Sequence, residues 1–328
     1  MLRTAKRAVL GAFRSAGYDV VKRGTVAVAE PTSAAPTIPA PPIAAASEAP
    51  PVHHSLGAVK SSPTEFHEAM ARYESSSPIQ DDGDPIVQAL ARDGLCIVPD
   101  FLPPDLVSQV HDQALPVAKR FRSREQTGPN RHRIFDECGF LRINSPENLA
   151  PLTARFFDHP RIHNVARSYL SGNGRRIERY LDYKHSNRID TNVHPHFDNI
   201  YRMLKVFFYL NDIPDTHAPF TVWKRSHLKR PWRELPDYLY FADHPYGWGV
   251  VPLSITATFG KGEYGDIERV ECTARAGTAI FCDVSAVHSA SLLRDGYRLM
   301  LVDNWMMQAN GKWLNPYHAN ATPPEGLV

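Results

Sequence analysis

No apolar stretch of this chain reaches the roughly twenty residues that a membrane-crossing helix needs, so none is expected. Cysteine is scarce: Cys96, Cys138, Cys272 and Cys282 are the four, and no two are spaced as CxxC. That argues against a zinc ribbon or a redox dithiol. The four read as reduced thiols of a cytosolic protein rather than as a disulfide framework. A charge excess is missing too. The 37 basic and 35 acidic residues leave a net charge of +2, which gives no general affinity for nucleic acid. No secretory signal fits, because the N-terminal apolar stretch is broken, and no internal repeat is visible.

What is present is enough apolar material for a full core: 43% of 328 residues, room for one large or two small domains. The 28 prolines are unevenly spread. Residues 31–51 hold seven Pro and seven Ala, a composition that cannot offset its own ordering entropy. A stiff, disordered linker is therefore expected over 30–63, with a loosely ordered lead-in over 64–83 and a loose helical piece near 65–73. Residues 1–29 carry six bases and one acid, with Leu2, Ala5, Val9, Leu10 and Phe13 at roughly helical spacing. Three readings stay open there: an amphipathic helix in weak contact with an anionic membrane, an acid-poor transit peptide, or a frayed basic terminus. The expected location is cytoplasmic, with peripheral membrane association as the open option.

The globular part begins near Asp84-Pro85, a cap followed by a proline in the first turn. Ile86, Val87, Leu90 and Ala91 form one apolar face, and Gly94 ends that helix. A short strand is expected over Leu95–Val98, then a helix from Pro103 or Pro104 to about Leu115, where Pro116 intervenes. Further helices are expected over Leu149–Phe157 and Pro160–Leu170. From Ile177 onward short β-rich runs dominate: Ile177–Lys184, Lys205–Leu210, Phe220–Trp223, Val250–Thr258, Arg269–Thr273, Thr278–Phe281 and Arg298–Trp305. Helices first and then many short strands argue for an antiparallel sandwich or barrel flanked by helices, an α+β chain that is mainly β.

Chemistry concentrates in His194-Pro195-His196-Phe197-Asp198. On an extended segment, side chains two apart share a face, so His196 and Asp198 point together. A second histidine from another strand would complete two imidazoles and one carboxylate on one side of a metal, the set of non-haem Fe(II) oxygenases. His288 is the candidate, on a strand expected to face the first across the barrel mouth. Arg298 follows ten residues later, opening a strand, and its planar fork suits a buried carboxylate. A surface charge beside the Asp295-Gly296 turn is the plain alternative.

Residues from about 84 to 305 resemble the phytanoyl-CoA dioxygenase-like family of Fe(II)/2-oxoglutarate oxygenases. Four pieces carry the resemblance: Asp93 to Pro104; His196-Phe197-Asp198; Lys205 to Asp212 leading into Ala218 to His227; and Gly277 to His288 with Arg298. The resemblance implies a double-stranded β-helix (a cupin-like jelly roll) over 84–318, flanked by N-terminal helices, with 319–328 as a tail. It implies Fe(II) on His196, Asp198 and His288, with Arg298 holding the distal carboxylate of 2-oxoglutarate. It further implies O2 as the oxidant, release of succinate and CO2, and hydroxylation of a small-molecule or lipid-like substrate. Halogenating members lack the carboxylate that Asp198 supplies, which favours hydroxylation. Two alternatives stand beside this reading: a catalytically silent jelly-roll binding protein, and a cupin-type metal enzyme that does not use 2-oxoglutarate.

Some residues stay open. Lys184 touches the cosubstrate or substrate, or is a solvated strand-end lysine. Lys205 alternates with Phe207 and Tyr209, which would point it into the barrel. His194 is not expected to ligate, and His227 is expected to be structural. Trp232, Tyr238, Tyr240, Phe241, Tyr246 and Trp248 form a lid or cover the open sheet face. Where the family usually has Gly, this chain has Ala218 and Arg225. If those positions need positive φ, the backbone is expected to bend differently there.

Overall fold

The structure is a computed structural model. It describes residues 78–121, 134–137, 140–172, 174–187, 193–199, 201–231, 249–251, 253–309 and 312–313. The expectations for 1–77, for the aromatic segment containing Trp232 to Trp248, for Cys138 and for the tail from 319 lie outside these residues. No described helix is long and apolar enough to cross a membrane.

Helix α1, Pro85–Asp93, starts as its sequence dictates. The Asp84 carboxylate accepts the Ile86 N–H at 2.7 Å and Pro85 occupies the first turn. Gly94 ends it at φ 72°, where a Cβ would sit 2.6 Å from Nδ1 of His227. His227 is buried against that glycine. Strand β1, Leu95–Val98, follows, then α2, Pro104–Phe121. The expected stop at Pro116 does not occur: α2 runs through it. Pro116 and Asp112, whose carbonyl loses its helical partner, are both exposed, so the missing bond lies on the solvent side of the helix.

A hairpin not foreseen from the sequence comes next, β2 (Ile134–Glu137) and β3 (Phe140–Asn144). The helix expected over Leu149–Phe157 is instead a 3-10 turn at Pro151–Thr153 and a single turn α3, Ala154–Phe157. Pro151 keeps Ala150 out of the helical region, at φ −135° and ψ 81°. Then come α4 (Pro160–Tyr169), β4 (Gly174–Lys184), β5 (His196–Phe197), β6 (Met203–Tyr209), β7 (Phe220–Lys224), α5 (Ser226–Lys229) and β8 (Gly249–Val250). The strand expected to Thr258 stops at Val250, because Pro252 has no N–H for a ladder, and α6, Leu253–Thr256, replaces it. Strands β9 (Glu268–Cys272), β10 (Ala279–Asp283), β11 (His288–Ala290), β12 (Arg298–Ala309) and β13 (Lys312–Trp313) complete the described chain.

The strands form two antiparallel sheets. The larger runs β1-β10-β6-β12-β4-β3-β2, with β13 on β12, and the smaller runs β8-β5-β11-β7-β9. Alternation along each strand divides the side chains between two cores. Leu141, Leu181, Leu204, Phe208, Phe281, Leu299 and Leu301 face α1, α2 and α4. Tyr180, Phe207, Tyr209, Met300 and Val302 face Phe220 and Val222 of the smaller sheet. The Tyr209 hydroxyl ties the sheets together, donating to the Cys272 carbonyl at 3.0 Å and accepting the Phe220 N–H at 3.1 Å. This is the mainly β jelly roll with flanking helices that the sequence led us to expect.

The backbone does not bend differently at Ala218 and Arg225. Both hold positive φ, 54° and 67°, without glycine. Arg225 is anchored there by Asp93, whose carbonyl accepts its N–H at 3.0 Å and whose carboxylate takes its Nε at 3.2 Å. The described thiols Cys96, Cys272 and Cys282 are free. Burial raises all three, Cys272 to about 12, which makes them poor nucleophiles.

Candidate metal centre

His196 and His288 do not face each other across a mouth. They stand side by side, in register on the hydrogen-bonded neighbours β5 and β11, because both strands belong to the smaller sheet. Their rings lie 4.3 Å apart. Asp198 follows one alternation after His196, and its N–H donates to the Val284 carbonyl at 2.8 Å. That bond ties β5 to the turn that carries His288. The turn is itself built around Asp283, whose carboxylate accepts the Ser285 N–H and the Tyr169 hydroxyl. From the side of β7, the Ser226 hydroxyl accepts the Val287 N–H at 2.8 Å.

Each imidazole is held in one tautomer. Nδ1 of His196 donates to the His194 carbonyl at 2.7 Å, and Nδ1 of His288 to the Ala286 carbonyl at 2.9 Å. Both protons are therefore on Nδ1, and both Nε2 atoms present a lone pair. Those lone pairs point at one carboxylate: His196 Nε2 is 3.7 Å from Asp198 Oδ1, and His288 Nε2 is 3.6 Å from Asp198 Oδ2. One ligand atom from each residue lies within 4.8 Å of the others. Three acceptors converge with no proton between them, an arrangement that a shared cation relieves. The carbonyl-backed imidazoles are the support that metal-binding histidines have, so the residues fit a divalent ion. His194 contributes its carbonyl to this set.

Electrostatics agree with the geometry. Burial and the neighbouring His288 push His196 down to about 3. Burial would raise Asp198, but the Lys205 ammonium against its Oδ2 and the two imidazoles hold it well below the usual carboxylate range. Lys205, left open from the sequence, thus points into the barrel and onto Asp198.

Arg298 and Lys184 are directly opposed across β12 and β4. Both are buried, 3% and 1% exposed, so neither is a solvated charge, although each stands at a strand end. The Arg298 guanidinium donates to the Ala218 carbonyl, and its Nη2 lies 3.5 Å from both oxygens of Asp182. Its Nε is buried without a hydrogen-bond partner. Asp182 was passed over in the sequence. Its position one alternation before Lys184 was the available signal.

A jelly roll whose smaller sheet carries a His-x-Asp pair beside a second histidine defines a class of metal-dependent β-barrel proteins. The phytanoyl-CoA dioxygenase (PhyH) family model matches residues 90–293, and the chain belongs to that family. It is accordingly an Fe(II)- and 2-oxoglutarate-dependent enzyme of the oxygenase type, with O2 as the third reactant. Similar solved structures include EctD from S. alaskensis with bound Fe, 16% identical with a TM-score of 0.52, covering 74% of this chain and 83% of that one. Another is the epimerase SnoN in complex with Fe3+, alpha ketoglutarate and nogalamycin RO, 21% identical with a TM-score of 0.50, covering 74% and 90%. At such identities these likenesses establish the fold alone. No curated protein matches the sequence.

Proposed function

We propose that the chain is a dioxygenase that hydroxylates an unactivated C–H bond of a small molecule, with release of succinate and CO2, and that residues 84–318 carry the activity. His196, Asp198 and His288 hold the iron. Arg298, with Lys184 beside it, holds the distal carboxylate of 2-oxoglutarate. Bound iron supplies the activation of O2 that side chains cannot perform. The chain's own part is placement. The His194 and Ala286 carbonyls fix which imidazole nitrogen faces the metal. Lys205 keeps Asp198 ionised. The unpartnered Nε of Arg298, buried beside Lys184, gives a carboxylate a charged donor in a dry site. Asp182 orients the guanidinium from the other side.

The observation that carries this reading is the pair of imidazoles whose Nδ1 protons are committed to carbonyls, leaving both Nε2 lone pairs on one carboxylate. The test is succinate release by the full chain with Fe(II), 2-oxoglutarate and O2. Release should need iron and fall by at least about 100-fold in His196→Ala. Equal release by that variant would refute the assignment.

A further inference from the structure

The space between the sheets has a second polar end, which shares with the metal site only Lys205. On the face of the larger sheet that looks toward the smaller one, Glu178, Asn304 and Lys205 form a row across β4, β12 and β6. Glu178 opposes Asn304, and Asn304 opposes Lys205. Lys205 reaches Asp198. Arg142 on β3 stands opposite Asp182 in the ladder, but its guanidinium reaches across Tyr180 to the row: it lies 4.0 Å from the centre of the Tyr180 ring and 3.6 Å from Glu178. The Asn304 amide donates to Glu178 at 3.2 Å. That fixes its nitrogen toward the carboxylate and leaves Oδ1 buried with no hydrogen-bond partner, on a residue only 3% exposed.

The two ends differ in access. Side-chain exposure is 4% at both Arg298 and Asp182. It rises from 13% at Lys205 to 27% at Arg142 and at Glu178. The Arg298 end is closed, and the end at Glu178 and the Arg142 guanidinium is partly exposed. An unsatisfied buried acceptor costs about 1–3 kcal/mol unless a ligand or water meets it, and a row of charges lining a cleft is a poor wall for an aliphatic chain.

We propose that Arg142 and Asn304 are substrate-recognition residues, and that the substrate is a small polar molecule carrying an anionic group for Arg142 and a hydroxyl or amino donor for Asn304 Oδ1, in the manner of a hydroxy- or aminocarboxylate. This rests on the placement of the metal and 2-oxoglutarate argued above. Glu178 opposes the anion and tunes the site. Its competition for Arg142 keeps the guanidinium aligned and weakens unselective anion binding.

The test is titration calorimetry on the full chain loaded with Zn(II), which binds without redox chemistry, and 2-oxoglutarate. The panel sets short hydroxy- and aminocarboxylates against long-chain acyl-CoA thioesters and long-chain alcohols. Binding is expected from the short polar compounds. Arg142→Met and Asn304→Leu should each weaken it about tenfold or more, whereas Arg298→Met should weaken 2-oxoglutarate instead. Glu178→Gln keeps an acceptor for the Asn304 amide, so it folds, and it should tighten the anionic compounds. Binding by long-chain members alone, by no member, or unchanged in Arg142→Met overturns the proposal. Absence of Zn(II) and 2-oxoglutarate heats overturns the underlying reading as well, which separates the two failures.

Discussion

The His196 imidazole stays neutral in the folded chain down to about pH 3, because burial and His288 disfavour its charged form. In the unfolded chain it takes a proton near its ordinary value of about 6.5. Between those values the unfolded state binds more protons, so acid draws the equilibrium toward unfolding. For the metal-free protein, the share of stability lost through this one group is about 1.4 kcal/mol per pH unit below 6.5. Urea unfolding at pH 7, 5.5 and 4.5 checks it: His196→Leu should show the shallower fall, and parallel slopes would contradict the assigned cause. Ala218 makes another single-residue case. Its φ of 54° is a conformation that costs an L-residue about 1–2 kcal/mol, and glycine returns part of that gain through greater unfolded-state freedom. Ala218 is fully buried, so removing its methyl group also loses about 0.8 kcal/mol of burial, and Ala218→Gly should be neutral to within about 1 kcal/mol. A loss above that in a denaturant midpoint would show that relief of the positive φ does not offset the lost packing.

At the level of elements, the shortest strand carries the most chemistry. Strand β5 has two residues, too few to hold itself. Four attachments fix it: the ladder bonds to β11 and β8, the Asp198 N–H on Val284, and the Val251 N–H on Pro195. Phe197, between the candidate ligands, turns its fully buried ring onto Gly249 of β8, where a Cβ would sit 2.5 Å from the ring. Gly249→Ala must displace that ring, which belongs to the residue between His196 and Asp198. The expected result is a loss of about 1–3 kcal/mol in stability, with metal affinity reduced beside it. A calorimetric titration with Zn(II) that matches the parent chain would show that β5 tolerates the shift. Recognition of the element was possible from the His-x-Asp spacing. Its brevity and its dependence on Gly249 were not, because both arise from a partner strand remote in sequence.

Over the whole molecule, one larger sheet serves two purposes. Its outer face is a plain hydrophobic core under the helices, and its inner face holds a charged interior at both ends of an apolar middle. Such an interior carries several charged groups at a cost in desolvation, and bound metal offsets part of it. Loading with Zn(II) at one hundred times its dissociation constant should raise the unfolding free energy by about 2.7 kcal/mol. His288→Ala should abolish that gain, and a full gain in the variant would place the ion elsewhere.

Local order and parity were legible from the chain itself. Asp84-Pro85 and Gly94 bound a helix, alternation set His196 beside Asp198, and β-rich runs after Ile177 marked a mainly β fold, because each depends only on neighbours in sequence. Pairing was decided by tertiary structure. That His288 stands next to His196 rather than opposite, that Arg298 meets Lys184 and Asp182, that Arg225 holds a glycine's conformation by leaning on Asp93, and that Arg142, Glu178 and Asn304 line a partly exposed end all follow from which strands share hydrogen bonds. Contacts between residues a hundred positions apart leave no periodic trace in either segment, so only the folded sheets could assign them.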